Sequence, residues 1–296
     1  MDRAERGRLV GLIKNSSPPL LPQPPRLPPE WERPKFSRPL TGIKAVLFDV
    51  YGTLFCSAAG DIGSTVKAAC ENAALEALAR EYGLTGKEMT LYFREQAALI
   101  HGSMPVQYPE IRAEEIWTDF LRRREMAGGA LCGEKGRELA LRFELAVNPV
   151  YPMPGALEAI STLRDAGVVL GIISNAQFYT PLLFEAFFNA PPKKLGFSES
   201  LIIYSFEMGE AKPSPRLFET AASRLEELDI KAAECAFAGN DMLSDIYGAV
   251  NAGFKGVLFA GDSRSLRLRE GDKRLKNHQP SLIIQNLIDL KLKLGL

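Results

Sequence analysis

The segment Ile43-Lys44-Ala45-Val46-Leu47-Phe48-Asp49-Val50-Tyr51-Gly52-Thr53 is an apolar run that stops at an aspartate and passes into a glycine turn. A short continuous apolar run closed by a turn predicts a strand buried on both faces, the signature of a parallel sheet. The pattern recurs downstream. Val168 to Ile173 runs into Ser174-Asn175, Leu201 to Tyr204 precedes the loop to Lys212, Cys235 to Ala238 runs into Gly239-Asn240-Asp241, and Gly256 to Phe259 runs into Gly261-Asp262. Helical sequence separates these runs, as in Pro154 to Ala166, where Leu157, Ile160 and Leu163 form a stripe that stops at Gly167. Strands alternating with helices predict an α/β fold with a doubly wound, Rossmann-like parallel sheet.

More than a hundred residues of helical character separate the first two of these strands. Val66, Cys70, Ala73 and Ala77 are spaced as one helical stripe, Thr85 and Glu88 have capping-box spacing, and Ile116, Trp117, Phe120 and Leu121 supply another apolar face. Residues 58–149 are therefore expected to be a helical insertion over the sheet, leaving 41–57 and 150–296 as the core. Residues 1–40 end in a proline-dense run, Pro18 to Pro39, which favours extended chain and predicts an arm or linker that buries little. A polyproline ligand for a partner domain is the rarer use of such a run.

Composition narrows the function. Lysine plus arginine and aspartate plus glutamate both number 36, so no net field draws the chain to nucleic acid or an anionic membrane. No segment approaches the ~18 consecutive apolar residues of a membrane span. Cys56, Cys70, Cys132 and Cys235 lack CxxC spacing, and the only histidines are His101 and His278. A zinc site of ordinary type is not expected, and free thiols fit a cytoplasmic protein.

Ligands of doubly wound sheets bind beyond the carboxyl ends of the strands. Here those ends carry Asp49, Ser174, the Lys212 loop, and Asp241 with Asp245. Taken in order, Phe48 to Leu54, Ile173-Ser174-Asn175, Lys212-Pro213-Ser214-Pro215, and Gly239-Asn240-Asp241 with Asp245 and Gly248-Ala249 resemble the four motifs of the haloacid dehalogenase superfamily. The resemblance covers about residues 43–296, and the insertion falls where members with a helical cap carry theirs. Pro280 to Leu290 also resembles the family's last strand and helix.

The resemblance implies that Asp49 is a carboxylate nucleophile forming a covalent aspartyl intermediate, which water then hydrolyses. It implies that Thr53 and Ser174, with neighbouring backbone donors such as that of Asn175, hold the transferred group, and that Lys212 neutralises it. Ser214 and Pro215 would open the helix after that loop. Mg²⁺ would be held by Asp49, the main-chain carbonyl of Tyr51, and Asp241, with Asp245 orienting a bound water or Lys212. Asn240 stands where the family's metal aspartate usually follows the glycine; Asp241 is preferred because a neutral amide is the weaker ligand.

One departure bears on the reaction. Phosphatases of the superfamily carry an aspartate acid/base two residues after the nucleophile, where this chain has Tyr51. A phenol with a pKa near 10 cannot serve as a base at neutral pH, a deficit of ~10²- to 10⁴-fold. Asp-x-Tyr-Gly-Thr is similar instead to the metal-free 2-haloacid dehalogenases, whose substrate carboxylate needs an arginine; Arg94 is the candidate. Against that, three carboxylates facing one Lys212 favour a cation. The expected function is a magnesium-dependent phosphatase acting on a small phosphate ester, with a dehalogenase or a weakly active binding protein as rivals. Cys56 is expected to be a buried small residue and His101 to be structural or exposed.

Overall fold

The computed structural model describes residues 1–59, 72–124 and 132–296. Six parallel strands form one sheet: β1 (Ala45–Phe48), β4 (Val169–Ser174), β5 (Phe197–Tyr204), β6 (Cys235–Gly239), β7 (Lys255–Phe259) and β8 (Leu282–Ile284). Their order is β5-β4-β1-β6-β7-β8, and a separate antiparallel pair joins β2 (Phe55–Ser57) to β3 (Val150–Pro152). Every residue of β1 and β6 is buried, as both faces of the sheet are covered by helices.

The chain builds outward from β1 through β4 to β5, then returns to the other side of β1 as β6. Strand order thus reverses at β1, and a crevice opens where the loops after β1, β4 and β6 diverge. In-register pairing of Phe48 with Ile172 and with Ala238 brings Asp49, Ser174 and Asn240 to one edge.

Helices α1 (Arg3–Ser16), α2 (Ala73–Arg80), α3 (Gly86–Ser103), α4 (Ala113–Arg123), α5 (Cys132–Val147), α6 (Ala156–Asp165), α7 (Thr180–Phe188) and α8 (Pro215–Glu226) surround the sheet. Four of them, α2 to α5, lie between β2 and β3. The capping box of α3 forms as the spacing predicts: the Glu88 N–H donates to Thr85 Oγ1 at 3.2 Å and the Thr85 N–H to Glu88 Oε2 at 2.8 Å. Ile116, Trp117, Phe120 and Leu121 are all buried on α4.

The stripe expected through Ala73 and Ala77 is corrected. Both alanines are exposed and α2 buries Leu75, Leu78 and Ala79, because leucine removes more apolar surface from water than alanine does. Val66 and Cys70 lie outside the described residues. On α6, Ile160 and Leu163 are buried whereas Leu157 is 41% exposed.

Residues 1–40 also depart from expectation. Asp2 caps α1 by accepting from the Glu5 N–H at 2.8 Å, and Leu9 and Ile13, one turn apart, are fully buried where α1 crosses α7 and α5. The Glu5 carboxylate is buried against Arg137, whose Nε and Nη2 donate at 2.5 and 2.9 Å. The proline-dense stretch is laid on the core by main-chain bonds: the Ser263 N–H donates to Gln23 O at 2.7 Å and the Leu40 N–H to Lys293 O at 2.8 Å. The segment thus buries more than an arm would. The five-residue run Leu9-Val10-Gly11-Leu12-Ile13 is too short to show a helical period, although it suffices when a ready surface receives it.

Among the described residues no helix is long and apolar enough to cross a membrane.

Candidate active site

The turn after β1 is tight: Gly52 takes φ +80°, and a Cβ there would fall 2.7 Å from Asn240 Nδ2. At the end of β1, Asp49 Oδ1 accepts from Ser174 Oγ at 2.9 Å and from Lys212 Nζ at 2.7 Å. Its Oδ2 receives no hydrogen bond among the described residues. One oxygen is therefore held by the strand-β4 hydroxyl and the ammonium, which leaves the other as the open nucleophilic atom.

Lys212 comes from the loop before α8. Its loop is pinned by Asn175, which donates from Nδ2 to Lys212 O at 3.2 Å and accepts from the Lys212 N–H at 2.7 Å. Ser214 caps α8, with Pro215 in its first turn. Lys212 Nζ also donates to Asp245 Oδ1 at 2.6 Å. Burial works against the ammonium, but Asp245 and Asp49 outweigh it and hold the Lys212 pKa above its usual value. Asp245 itself is pushed upward, first by burial and then by the charges of Asp49 and Asp241, against the pull of Lys212. It fits beneath the β6 turn because residue 239 is glycine: a Cβ there would meet the Asp245 carboxyl carbon at 2.4 Å.

Asp49, Tyr51, Asn175, Lys212, Asn240, Asp241 and Asp245 line one cavity of about 100 Å³, together with Arg267 and Arg269. Ser174, whose hydroxyl goes to Asp49, is not part of this lining, and neither is Thr53. It is fully buried and its hydroxyl donates to Asn240 Oδ1 at 3.0 Å, so it positions Asn240 rather than presenting a hydroxyl to a ligand. Asn240 also donates to Ser265 O at 2.7 Å, so both ends of its amide are engaged.

The two arginines were not anticipated, and they alter the charge argument. Arg269 donates to Asp241 from Nη2 at 2.5 Å and from Nε at 3.1 Å, a two-pronged pair. Three carboxylates therefore face Lys212, Arg267 and Arg269 rather than one lysine, and a cation is not required for neutrality. The alternation Leu266-Arg267-Leu268-Arg269 was the available signal. That segment runs beside the β6 turn, with the Arg267 N–H donating to Asn240 O and the Met242 N–H to Arg267 O, each at 2.9 Å.

The donors suit magnesium in chemical type, since the Asp49 and Asp241 carboxylates offer hard oxygens to the same cavity. Asp241 is nevertheless engaged: besides Arg269 it accepts from the Leu243 and Ser244 N–H groups at 2.8 and 3.2 Å. Magnesium and Arg269 would compete for it. Among the described residues no three His, Cys, Asp or Glu side chains gather as a metal-binding group.

The Tyr51 hydroxyl lies 2.9 Å from Thr180 Oγ1. Burial, and next the charge of Glu144, hold its pKa well above the usual value, so it stays protonated. Arg94 is exposed on α3 and lines a different, larger cavity, as does His101. The Cys56 thiol is buried against Met153 Sδ at 3.6 Å, and burial pushes it up to about 11, which makes it an inert packing residue.

The family model for haloacid dehalogenase-like hydrolases matches residues 43–253. The chain belongs to this family. As a hydrolase it is 36% identical over 111 residues to the glyceraldehyde 3-phosphate phosphatase of Pyrococcus abyssi, a match covering 36% of this chain and 42% of that protein. It is 32% identical over 157 residues to the phosphoserine phosphatase of Thermus thermophilus, covering 50% and 58%. The hydrolase thus spans about half the length of these curated relatives. In fold it resembles the 2-haloacid dehalogenase of Pseudomonas syringae pv. Tomato, with a TM-score of 0.56 and 20% identity over 86% of this chain and 98% of that one.

Proposed function

We propose that this hydrolase cleaves a small phosphate monoester through Asp49. Its Oδ2 attacks phosphorus, the bond to the leaving oxygen breaks and that oxygen takes a proton from solvent; water then attacks the aspartyl phosphate, giving up a proton to solvent, which releases phosphate and regenerates Asp49. Ser174 and Lys212 orient the nucleophile, and Lys212 offsets charge that grows on the phosphoryl oxygens. Asp49, the Tyr51 carbonyl and Asp241 are the residues proposed to hold Mg²⁺, which when bound supplies further positive charge to the phosphoryl group.

The observation that carries this reading is that the Asp49 carboxylate shares one cavity with Lys212, Arg267 and Arg269, cationic donors able to bond phosphoryl oxygens. The names of the sequence relatives are in accord with it. Arg94, the candidate carboxylate anchor of a dehalogenase, does not line that cavity. Tyr51 is the feature that favours dehalogenation, since a departing halide needs no proton.

The division into a core, 41–57 and 150–296, and a helical cap, 58–149, belongs to the same proposal. It is supported by the β2–β3 pair, through which the chain leaves the core and returns. The test is release of phosphate from p-nitrophenyl phosphate and of halide from 2-chloropropionate, with magnesium and with chelator, by the wild type and Asp49→Asn. Magnesium-stimulated phosphate release, abolished in the variant, is expected. Halide release indifferent to chelator would replace the reading.

A further inference from the structure

The larger cavity, of about 440 Å³, lies between the α3–α5 helices and the core. It adjoins the catalytic cavity, because Asn175 lines both and Ala211, beside Lys212, lines the larger one. An alcohol group leaving from Asp49-bound phosphate has this space as its neighbour.

Its walls are aromatic. Phe93 stacks on Trp117 with ring centroids 5.8 Å apart, and Phe143 lies 4.9 Å from the same indole. Trp117 is fully buried, and its Nε1 finds no hydrogen-bond partner among the described residues. Two carboxyl groups share these walls. Glu110 accepts from Ser205 Oγ at 2.6 Å, the Ile111 N–H at 2.9 Å and Gln177 Nε2 at 3.3 Å. Glu144, 6% exposed, accepts from Asn148 Nδ2 at 3.0 Å and from the Tyr179 hydroxyl. All of these donors are neutral, and neither carboxyl has an ion-pair partner among the described residues. Arg94 and His101 reach the cavity from exposed positions on α3 without bonding to either.

Glu144 is buried and Glu110 half-buried; carboxyls withdrawn from water without a cation are costly, and desolvation raises the pKa of both. Apolar aromatic walls with two carboxyl acceptors among them suit an apolar body that carries an ammonium. We propose that this cavity seats the leaving group of the substrate, and that this group is an apolar body bearing a basic amine held by Glu110 and Glu144. The proposal rests on the phosphate-ester reading for its connection to catalysis; the binding preference does not.

Calorimetry of the wild-type protein with benzylamine, benzyl alcohol and benzoate at pH 8 tests the preference without turnover. Benzylamine is expected to bind at least about tenfold more tightly than benzyl alcohol, with benzoate weakest, the size of one charge-assisted contact. Glu110→Gln and Glu144→Gln, each checked for cooperative unfolding, are expected to reduce that preference. Equal binding of the three, tightest binding of benzoate, or a preference unchanged by both substitutions would overturn the proposal. Tyramine O-phosphate compared with phenyl phosphate supplies the second arm. If phenyl phosphate is hydrolysed and the amine confers no gain in kcat/KM, the cavity assignment fails and the phosphatase reading stands. If benzylamine binds selectively and neither ester is cleaved, the reverse holds.

Discussion

Replacing Glu110 by glutamine should flatten part of the pH dependence of stability. Burial pushes the Glu110 carboxyl from its ordinary 4.5 up to about 7 in the folded protein. Below pH 4.5 both folded and unfolded states hold the proton, and the stability is fully present. Between 4.5 and 7 the unfolded chain releases its proton while the folded protein retains it, so stability falls as pH rises and levels off above 7. At about 1.4 kcal/mol per pH unit, that interval corresponds to about 3 kcal/mol. Glutamine keeps an acceptor for the Ile111 N–H, and its amide can donate to Ser205 Oγ, which also lies 3.3 Å from Ala176 O and can pass its own proton there. The variant should therefore gain on the wild type by up to about 3 kcal/mol between pH 4.5 and 7.5, a difference in Tm of roughly 5–10 °C. Urea unfolding at each pH measures it, and the other raised carboxyls, Glu114, Glu144, Glu207 and Asp245, cancel in the comparison. Parallel pH profiles for the two proteins would refute the argument.

Leu9→Ala and Ile13→Ala should each cost about 2–4 kcal/mol, and deletion of residues 1–38 should lower Tm by many degrees, because both side chains are fully buried; thermal scans check this. Tyr51→Asp should raise turnover of alkyl phosphates by about tenfold or more, and that of p-nitrophenyl phosphate less, since a carboxylate at 51 can shuttle the proton; steady-state rates on both substrates decide. Arg269→Gln frees Asp241 of its guanidinium and should tighten magnesium binding by about tenfold in calorimetry, whereas unchanged affinity would mean that the pair does not compete with the ion. Gly239→Ala should displace Asp245 from beneath the β6 turn, costing about 1–3 kcal/mol and most of the activity, as judged by urea unfolding beside an activity assay.

The alternation of apolar runs with helical stripes was enough to specify the parallel sheet, because a strand buried on both faces has no solvent side on which to hide polar residues. Asp49 stood out because it closes an apolar run where a cap or turn role is not evident, whereas Ser174, Lys212 and Asp245 drew notice through the order of the four motifs. Their mutual bonds at 2.6 to 2.9 Å came only with the fold, which alone sets the strand register. Thr53 illustrates the limit. Its motif marked it as a ligand-facing hydroxyl, while packing turned it toward Asn240.

What tertiary structure decided was charge and closure. Arg269 sits 28 residues beyond Asp241 in sequence, and nothing local links them, so the neutralisation of that carboxylate is a property of the folded crevice. Glu110 and Glu144 drew no notice in the sequence, and it is the packing of α3, α4 and α5 beside residues 175–179 that brings them to one cavity. The run from Leu9 to Ile13 is too short to announce a buried helix, and Leu9 and Ile13 are buried because α7 offers a surface that receives them. Sequence records the propensities of neighbours along the chain; desolvation and Coulomb energy depend on neighbours in space, which only the fold assigns.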